Sequence, residues 1–346
     1  MSEKITIADE IDPLAALPEE LGDLFESMGE PRFRGNQLFS WLHARGVVSP
    51  SLMTDLPTQL REKLEIRGLE WPARVGKVLH SQDGTRKLQI ILNRGGTVET
   101  VLIPDGEKLA QCVSTQVGCA VRCRFCRSGH AGLKRNLTAA EILTQVHLAK
   151  KYYLPSEQLR NIVFMGVGEP LHNPKAVLSS VRLLGHPRGL DLSSRRITVS
   201  TAGFVRGIDL LARETGGEVA LAVSLHASND ATRFDLVPGI KDPLCDIVGA
   251  LERYPMPRRR RITIEYVMVR NVNDSIRDAK ELVKLLSSLR VKVNLLPLNP
   301  HDKTDLEPPS DERVFAFQDA LLDKGVSAFV RKRRGADIGA ACGQLI

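Results

Sequence analysis

Three cysteines near residue 120 lie close enough in the sequence to bind one metal centre. They stand in the stretch Cys119-Ala-Val-Arg-Cys123-Arg-Phe-Cys126, with the aromatic Phe125 just before the last. Thiolates are the usual ligands of iron–sulfur clusters. Because a four-iron cluster held by three cysteines has one iron left open, that iron can chelate a small molecule. The spacing therefore predicts a redox-active cluster with a vacant coordination position.

A structural zinc ion is the alternative that the spacing leaves open. Cys112 lies seven residues before Cys119, so four thiols are available for a closed tetrahedral site. Ordinary zinc motifs use paired cysteines two to four residues apart, which matches this loop less well. With zinc, the protein would belong to a different class, that of a non-catalytic RNA-binding protein.

The cysteine count and the hydropathy exclude several protein classes. Only six cysteines occur, and four of them fall within residues 112–126, so the chain does not resemble a secreted disulfide scaffold. The sequence begins Met1-Ser-Glu-Lys without the apolar segment of a signal peptide, and no run reaches the length of a membrane span. We therefore expect a cytoplasmic protein without a membrane partner. Cys245 is expected to pack in a helix as a small hydrophobe.

The charge distribution is compatible with a polyanionic partner. The 346 residues include 48 Lys and Arg against 41 Asp and Glu, a formal charge of +7. Two basic runs occupy residues 258–261 and 331–334, and Arg122, Arg124 and Arg127 interleave with the cysteines. Such clusters suit RNA phosphates, while a solvated surface explains either run equally well.

Residues 1–73 are predicted to form a small helical domain that binds RNA. Phe33, Leu38 and Trp41 recur near helical spacing, with Arg34 and His43 beside them. A basic, aromatic helix face of this kind suits RNA, and plain helix packing produces the same pattern.

Residues 74–106 change to strand-like alternation. Three short runs, at 75–79, 87–92 and 98–103, are separated by the tight-turn sequences Asp83-Gly84 and Arg94-Gly95-Gly96. We predict a β-meander that links the helical domain to the rest of the chain.

In residues 107–346, strands alternate with helices, which is the pattern of parallel βα units. Thr138 and Glu141 have the capping-box spacing and begin one of these helices. The predicted fold class is α/β, with a partial (βα)6 barrel as the catalytic domain, and ligands of such folds lie at the carboxyl ends of the strands. The six predicted strands cover residues 111–116, 161–166, 196–200, 219–224, 263–269 and 292–296.

Glycines and short polar residues follow several of these strands. Glycine lets the backbone approach a ligand closely, and Ser and Asn supply short hydrogen-bonding groups. Each is an ordinary turn residue when taken singly, but their repeated placement at one face predicts a ligand site. The residues concerned are Gly166, Gly168, Glu169, Ser200, Gly203, Ser224, Leu225, His226 and Asn299.

Taken together, these motifs resemble the RlmN/Cfr family of radical-SAM RNA adenine methyltransferases, whose cofactor is S-adenosylmethionine (SAM). The resemblance covers nearly the whole chain. Besides the cysteine triad it rests on Phe33-Arg-Gly-Asn-Gln, Val98-Glu-Thr100, Cys112-Val-Ser, Gly-Leu-Lys-Arg-Asn-Leu137, Met-Gly-Val-Gly-Glu-Pro170, Ser224-Leu-His-Ala227, Ile264-Glu-Tyr-Val-Met268 and Ala-Ala-Cys342-Gly-Gln-Leu.

The resemblance implies a role for each candidate site residue. Cys119, Cys123 and Cys126 would bind a [4Fe-4S] cluster. Cys342 would carry the methyl group as S-methylcysteine, Cys112 would resolve it through a transient disulfide, and Glu99 would act as proton acceptor. The residues implied to bind SAM are Gly168, Glu169, Ser200, Ser224, Leu225, His226 and Asn299.

The implied reaction uses two SAM molecules per turnover, because carbons 2 and 8 of adenine are too electron-poor to attack a methyl group. One SAM methylates Cys342 by displacement. Reductive cleavage of the second gives a 5′-deoxyadenosyl radical, which takes hydrogen from the S-methyl group so that the methylene carbon adds to the base. Cys112 then attacks the sulfur of Cys342 and releases the product. Disulfide formation requires Cα atoms within about 7 Å, so the fold must bring these two cysteines together.

The resemblance also suggests the partners. We expect 23S rRNA as the substrate, with tRNA as a second one, and carbon 2 of adenine as the preferred target. Carbon 8 and another RNA stay open as alternatives, because the two cysteines serve either position and because the sequence at 127–132 differs from the usual carbon-2 form. An electron donor such as flavodoxin is needed, and we expect a monomer.

Overall fold

The computed structural model describes residues 11–346. The N-terminal segment Met1-Ser-Glu-Lys and the start of the expected helical domain lie outside the described residues. The α-helices within this range are α1 Pro18–Ser27, α2 Arg34–Phe39, α3 Thr58–Ile66, α4 Arg127–Ala131, α5 Ala139–Ala149, α6 Pro174–Gly185, α7 Val205–Thr215, α8 Asp230–Leu236, α9 Leu244–Arg253, α10 Ile276–Leu285 and α11 Asp311–Leu322. The strands are β1 Ala73–His80, β2 Arg86–Leu92, β3 Thr97–Asp105, β4 Lys108–Cys112, β5 Gln116–Val117, β6 Arg135–Asn136, β7 Gln158–Phe164, β8 Ile197–Thr201, β9 Ala220–Ser224, β10 Ile262–Met268, β11 Val291–Pro297 and β12 Ala328–Val330.

A ten-stranded sheet organises the molecule. Its order is β1-β2-β3-β4-β7-β8-β9-β10-β11-β12, while β5 and β6 form a separate antiparallel pair. The first four strands are antiparallel neighbours, and every pairing from β4 to β12 is parallel. Helices connect the parallel strands, as the alternating pattern required. The predicted α/β fold with a partial parallel barrel is confirmed.

Two strands depart from the predicted boundaries. The first barrel strand was expected at 111–116, but β4 ends at Cys112 because the chain then turns into the loop that carries the cysteine triad. The three-residue β12, which adds a seventh parallel strand beside β11, was not predicted. A strand of three residues is too short to show periodic alternation.

The capping box at the start of α5 forms as predicted. The Glu141 N–H donates to the Thr138 hydroxyl at 3.2 Å, and the Thr138 N–H donates to the Glu141 carboxylate at 2.9 Å. Arg135 also pairs with this buried carboxylate at 2.8 Å. Glu141 therefore caps α5 and also fixes the strand β6, which leads out of the triad loop.

The meander is continuous with the barrel sheet. Its last strand, β3, pairs with β4 in a register that sets Val101 opposite Cys112. Residues 74–106 thus extend the catalytic sheet at its edge, in addition to linking it to the helical segment. This arrangement places Glu99 one strand away from Cys112.

The helical segment formed by α1, α2 and α3 has its own core. Leu21, Phe25, Leu38 and Leu60 are fully buried. Part of the predicted basic, aromatic face is internal, because Trp41 and His43 are buried. Phe33, in contrast, is exposed. Helix packing therefore accounts for part of the pattern, and RNA binding by this segment stays a prediction.

A histidine cluster joins the helical segment to the barrel. The His43 ring lies 5.7 Å from that of His147 on α5, and His147 stacks on Trp71 at 4.9 Å. Burial, together with the nearby charges of His186 and Lys150, lowers the pKa of His43 to about 4. Both imidazoles are therefore neutral at physiological pH, since burial also lowers the pKa of His147.

Candidate active site

A cavity opens at the carboxyl ends of the parallel strands. This is where ligands of parallel α/β folds bind. The cavity brings together the triad loop, the strand ends and the C-terminal segment. Its predicted site residues are Cys119, Cys123, Cys126, Gly168, Glu169, Ser200, Ser224, His226, Asn299 and Cys342.

The triad loop is held by backbone contacts at short range. The Cys126 N–H donates to the Cys123 carbonyl at 3.1 Å, and the Gly239 N–H donates to the Val121 carbonyl at 2.8 Å. A Cβ atom at Gly239 would lie 2.5 Å from the Val121 backbone. Glycine is required at that position because any side chain would push the triad loop away.

The chemistry of the three thiols fits an iron–sulfur cluster. Burial, together with the neighbouring thiols of the triad, raises the pKa of Cys119 to about 12 and that of Cys123 well above its ordinary range. Cationic iron would offset the repulsion between the neighbouring thiolates and bind them. Within residues 11–346, no three His, Cys, Asp or Glu side chains converge as ligands of a single ion. A four-iron cluster instead provides a separate iron for each thiolate.

Glu169 braces the ends of two neighbouring strands. Its carboxylate accepts the Ala202 N–H after β8 at 2.7 Å and the Leu171 N–H at 3.0 Å. Burial raises the pKa of Glu169, and these two hydrogen bonds oppose the rise. The preceding Gly168 has φ +106, and a Cβ there would meet Gln116 at 2.6 Å. The Gly-Val-Gly-Glu sequence is therefore the tight turn that carries this carboxylate into the cavity.

His226 adopts a left-handed backbone conformation, with φ +60, at the end of β9. Its Nδ1 accepts the Val267 N–H at 3.0 Å, and its ring packs edge-on against Phe125 at 4.7 Å. Burial lowers the pKa of His226 to about 3, so the ring is neutral and carries its proton on Nε2. The side chain can therefore donate one hydrogen bond within the cavity.

Asn299 has an unsatisfied acceptor beside the cavity. Its Nδ2 donates to the Cys342 carbonyl at 3.0 Å, while its buried Oδ1 has no partner among the described residues. Buried polar atoms normally have a partner. The free oxygen faces a site that a ligand with a hydrogen-bond donor, such as the amino group or ribose of SAM, would complete.

The C-terminal segment is anchored against the triad loop. The Arg127 N–H donates to the Gly343 carbonyl at 2.7 Å, and the Gln344 side chain donates to the Pro300 carbonyl at 2.9 Å. Cys342 retains accessible surface because it lines the cavity, although protein surrounds it. Burial raises its pKa to about 11, with Glu265 as the next cause.

Cys112 lies beside this segment at the end of β4. It is a buried free thiol, and it packs with Val101, Val167, Ala340 and Leu345. Burial raises the pKa of Cys112, and the second cause is the charge of Cys342. Cys342, which lies 230 residues away in sequence, is therefore close enough to influence the ionisation of Cys112.

Glu99 lies at the edge of the site and is fully engaged. Its carboxylate pairs with the Lys87 ammonium at 3.0 Å and accepts the Ile346 N–H at 2.9 Å. Lys87 also donates to the Gly339 carbonyl at 3.0 Å. The pair thus holds the C-terminal segment on both sides of Cys342.

Three of the predicted residues lie outside the cavity lining. Cys112 and Glu99 lie next to it, as described above. Leu225 is fully buried in the core, and its carbonyl accepts a hydrogen bond from the Arg233 guanidinium at 2.6 Å. Its side chain therefore does not face the cavity.

Two charged residues of the site were not predicted. The Glu265 carboxylate lines the cavity and accepts the Asn294 side chain at 2.9 Å, and burial raises its pKa. The buried Arg233 donates to the carbonyls of Ser224 and Ala202 and so ties the ends of β9 and β8 together. Glu265 belongs to the motif Ile264-Glu-Tyr-Val-Met268, but only its place in the cavity lining marks it as a site residue.

The two basic runs lie at opposite ends of the sheet. Residues 331–334 follow β12 at the cavity end, where the Arg333 side chain donates to the Leu298 carbonyl at 3.3 Å. Residues 258–261 precede β10 and line a surface depression with Arg290 at the other end. Cys245 is exposed, which contradicts the expectation that it packs as a hydrophobe.

No helix within the described residues is long and apolar enough to span a membrane. That finding accords with the hydropathy of the sequence.

Two family models match the chain. Residues 14–67 match the ribosomal RNA large subunit methyltransferase N-terminal domain, and residues 113–286 match the radical SAM superfamily. The first match covers the helical segment, and the second covers the triad loop and most of the parallel sheet.

Full-length relatives and a solved structure show the same similarity. The chain is 47% identical over 371 residues to the dual-specificity RNA methyltransferase RlmN of Sorangium cellulosum (strain So ce56), covering 97% of this chain and 95% of the relative. It is 46% identical over 329 residues to the protein of that name from Syntrophobacter fumaroxidans (strain DSM 10017 / MPOB), covering 94% and 95%. A crystal structure of a radical SAM methyltransferase from Sphaerobacter thermophilus matches with a TM-score of 0.91 and 43% identity, covering 96% of this chain and 98% of that one.

Proposed function

Because this chain belongs to the RlmN family of radical SAM RNA methyltransferases, we propose that it methylates carbon 2 of adenine in 23S rRNA and in tRNA. The chain is an enzyme that uses a [4Fe-4S] cluster and SAM. A non-catalytic zinc protein does not agree with membership of this family. The relatives' description as dual-specificity enzymes supports two kinds of RNA substrate.

The observation that carries the proposal is the position of Cys342. This thiol lines the same cavity as Cys119, Cys123 and Cys126, and a second thiol, Cys112, packs beside its segment. Bound cluster and SAM supply methyl groups and a carbon-centred radical at this place. Cys342 is the residue positioned to carry the one-carbon unit between cofactor and base.

We propose the following roles for the cofactor-binding residues. Cys119, Cys123 and Cys126 hold the cluster. Gly168, Glu169, Ser200, Ser224, His226 and Asn299 form the SAM site, and Leu225 contributes through its backbone. The free Asn299 Oδ1 and the Nε2–H of His226 are the polar groups that SAM would satisfy.

Cys112 releases the product in the proposed reaction. Its thiolate attacks the sulfur of Cys342, so that an S–S bond forms and the bond from this sulfur to the base-linked carbon breaks. The carbon leaves with the electron pair and takes up a proton, which completes the methyl group. The reaction oxidises the two thiols to one disulfide, and a thiol reductant must restore them.

Glu99 exchanges a proton with the base-linked intermediate in this proposal. In the structure, both carboxylate oxygens are occupied, one by Lys87 and the other by the Ile346 N–H. A general base must reach the proton that it takes. The C-terminal segment therefore moves away from Glu99 when RNA enters.

We propose a separate role for each of three parts of the chain. Residues 1–73 form the helical RNA-binding domain, residues 74–106 the meander, and residues 107–346 the catalytic barrel with Cys342. The exposed residues Arg331, Lys332 and Arg333 at the cavity end are placed to contact RNA phosphates. Because 23S rRNA and tRNA are cytoplasmic in bacteria, we place the enzyme there as a monomer that receives electrons from a carrier such as flavodoxin.

Cys112→Ala tests the proposal directly. Wild-type enzyme with SAM, a reductant and RNA should release RNA that contains 2-methyladenosine, identified by nucleoside mass spectrometry. The variant should form the carbon–base bond and stay covalently attached to RNA, so that a protein–RNA band survives denaturing electrophoresis. Exposed Cys245→Ala serves as the matched control and should behave as wild type.

Two outcomes would count against the proposal. Free methylated RNA at the normal rate from the Cys112 variant would remove its resolving role. A product that contains 8-methyladenosine in place of 2-methyladenosine would move the target to carbon 8.

A further inference from the structure

The triad loop is a wall one residue thick between the cavity and the outer surface. Cys119, Val121 and Cys123 line the cavity. The residues that alternate with them, Ala120 and Arg122, line a groove on the outer side. We call this the outer groove; its remaining residues are Leu133, Pro238 and Gly239.

The outer groove is kept close to the cluster ligands by glycine. A Cβ at Gly239 would meet the Val121 Cα at 2.5 Å and the Ala120 carbonyl at 2.6 Å. Arg122 has φ +56, and this left-handed turn lets successive residues face opposite sides of the wall. A protein bound in the groove is therefore separated from the cluster ligands by little more than one layer of backbone.

The charges around the groove are unbalanced. Residues 116–137 contain five Lys and Arg and no Asp or Glu. Arg124 pairs with Asp235 and Asp305, and Arg127 pairs with Asp302. Arg122 is exposed, and among residues 11–346 it has no ion-pair partner. Two charges of the loop thus lack an ion pair among these residues: Arg122, which lines the outer groove, and Lys134, which follows the groove residue Leu133.

One exposed apolar side chain accompanies this charge. Leu133 has 43% of its surface exposed beside Arg122. An unpaired cation next to an exposed apolar side chain suits an acidic protein surface. Opposite charges steer the association, and apolar contact lengthens the lifetime of the complex.

We propose that the outer groove is the docking site of a small acidic protein that delivers single electrons at low potential. The inference rests on the proposed function, because SAM cleavage consumes one electron per event. In the step, the carrier is oxidised by one electron and the cluster is reduced by one, without any bond or proton change in this chain. RNA enters from the cavity side, so carrier and substrate use opposite faces of the wall.

The test compares two variants with two controls, using reduced flavodoxin as the acidic carrier. Arg122→Glu and Leu133→Glu should each weaken flavodoxin binding about tenfold, as expected for reversing or adding charge at an electrostatically steered interface. Arg122→Lys retains the charge and has the same backbone requirement, so it should bind as wild type. Arg258→Glu changes an exposed arginine at the other end of the sheet and should also have no effect.

The measurements are the Kd of flavodoxin for the cluster-loaded enzyme, its dependence on salt, and the rate of 5′-deoxyadenosine formation. With flavodoxin as reductant, the Glu variants should be slower, whereas with dithionite, a small reductant that needs no docking, they should match wild type. Unchanged flavodoxin affinity in both Glu variants would overturn the proposal. A loss of RNA affinity without loss of flavodoxin affinity would assign the groove to RNA instead. Failure of wild-type enzyme to cleave SAM with dithionite would count against the proposed function, whereas the binding data alone decide the docking site.

Discussion

At the scale of single residues, the site depends on side chains that hold one another in place. Asn299 holds the Cys342 carbonyl, Arg233 holds the carbonyls of two strand ends, and Lys87 holds both Glu99 and the Gly339 carbonyl. These contacts join segments far apart in sequence. The Cys342 segment is therefore positioned by side chains from several distant parts of the chain.

Lys87→Met should release the C-terminal segment. The Lys87 and Glu99 side chains are only 10% and 13% exposed, so removal of one partner leaves a largely buried charge and should lower the free energy of unfolding by about 2 kcal/mol. Carboxypeptidase digestion should remove the C-terminal residues faster, and RNA methylation should fall. Lys108→Met, at an exposed position on β4, is the control.

The double variant Lys87→Met/Glu99→Gln checks whether the pair acts as a unit. Its loss of stability should be smaller than the sum of the two single losses by about 1 kcal/mol or more. Additive losses and wild-type digestion rates would show that the pair does not hold the segment.

At the scale of elements, the triad loop is shaped by its neighbours. The loop leaves β4, passes through α4 and returns along β6, and the turn before α9 packs against it through Gly239. The cluster site is therefore a contact between two loops, and its precision depends on how closely their backbones approach.

Gly239→Ala should disrupt this contact. The new Cβ would lie 2.5 Å from Val121, and overpacking of this kind destabilises by about 1–3 kcal/mol. We expect less iron per chain after anaerobic reconstitution, measured with iron and sulfide assays. Gly249→Ala is the matched control, because it lies within α9 with its nearest contact at 3.4 Å and should be neutral or stabilising by up to about 1 kcal/mol. Full iron content in the Gly239 variant would show that the two loops can separate without loss of the site.

At the scale of the whole molecule, one sheet contains both the strands whose ends line the cavity and the strands of the meander. The meander and the barrel share ten strands, and the helical segment is attached through buried histidines. The basic runs are separated by the length of the sheet, because one precedes a parallel strand and the other follows one. Strand direction thus assigns residues 331–334, and not 258–261, to the cavity end.

The attachment of the helical segment should weaken in acid. His43 has a pKa of about 4 in the folded chain against an ordinary value near 6.5, so the unfolded state binds more protons between these values. Its contribution is complete above pH 6.5 and is lost as the pH falls towards 4. From pH 7.5 to pH 5 we expect this residue to account for about 2 kcal/mol of lost stability.

His43→Phe is the corresponding variant, since the ring already packs on Phe39 at 4.5 Å. Urea unfolding at the two pH values should show a smaller loss for the variant than for wild type. An identical loss would show that His43 does not titrate on unfolding.

Much of this protein is encoded locally in its sequence. The triad spacing, the alternation of strands and helices and the capping box at Thr138 depend on neighbours a few residues apart. The fold class and the family could therefore be predicted, and ten of the predicted site residues do line the cavity. Prediction failed where the local signal was too weak: β12 is too short to show a period, and the helical pattern around Cys245 did not reveal that this side chain is exposed.

Other properties were decided only by the tertiary structure. Register between β3 and β4 brings Glu99 near Cys112, and the path of the C-terminal segment brings Cys342 near Cys112 and the Ile346 N–H to Glu99. Arg124 and Arg127 pair with carboxylates about a hundred or more residues away in sequence, whereas Arg122 has no ion-pair partner within residues 11–346. Local spacing determines which groups are available, but long-range chain packing determines which of them meet, because contacts between distant residues leave no periodic signal in a single sequence.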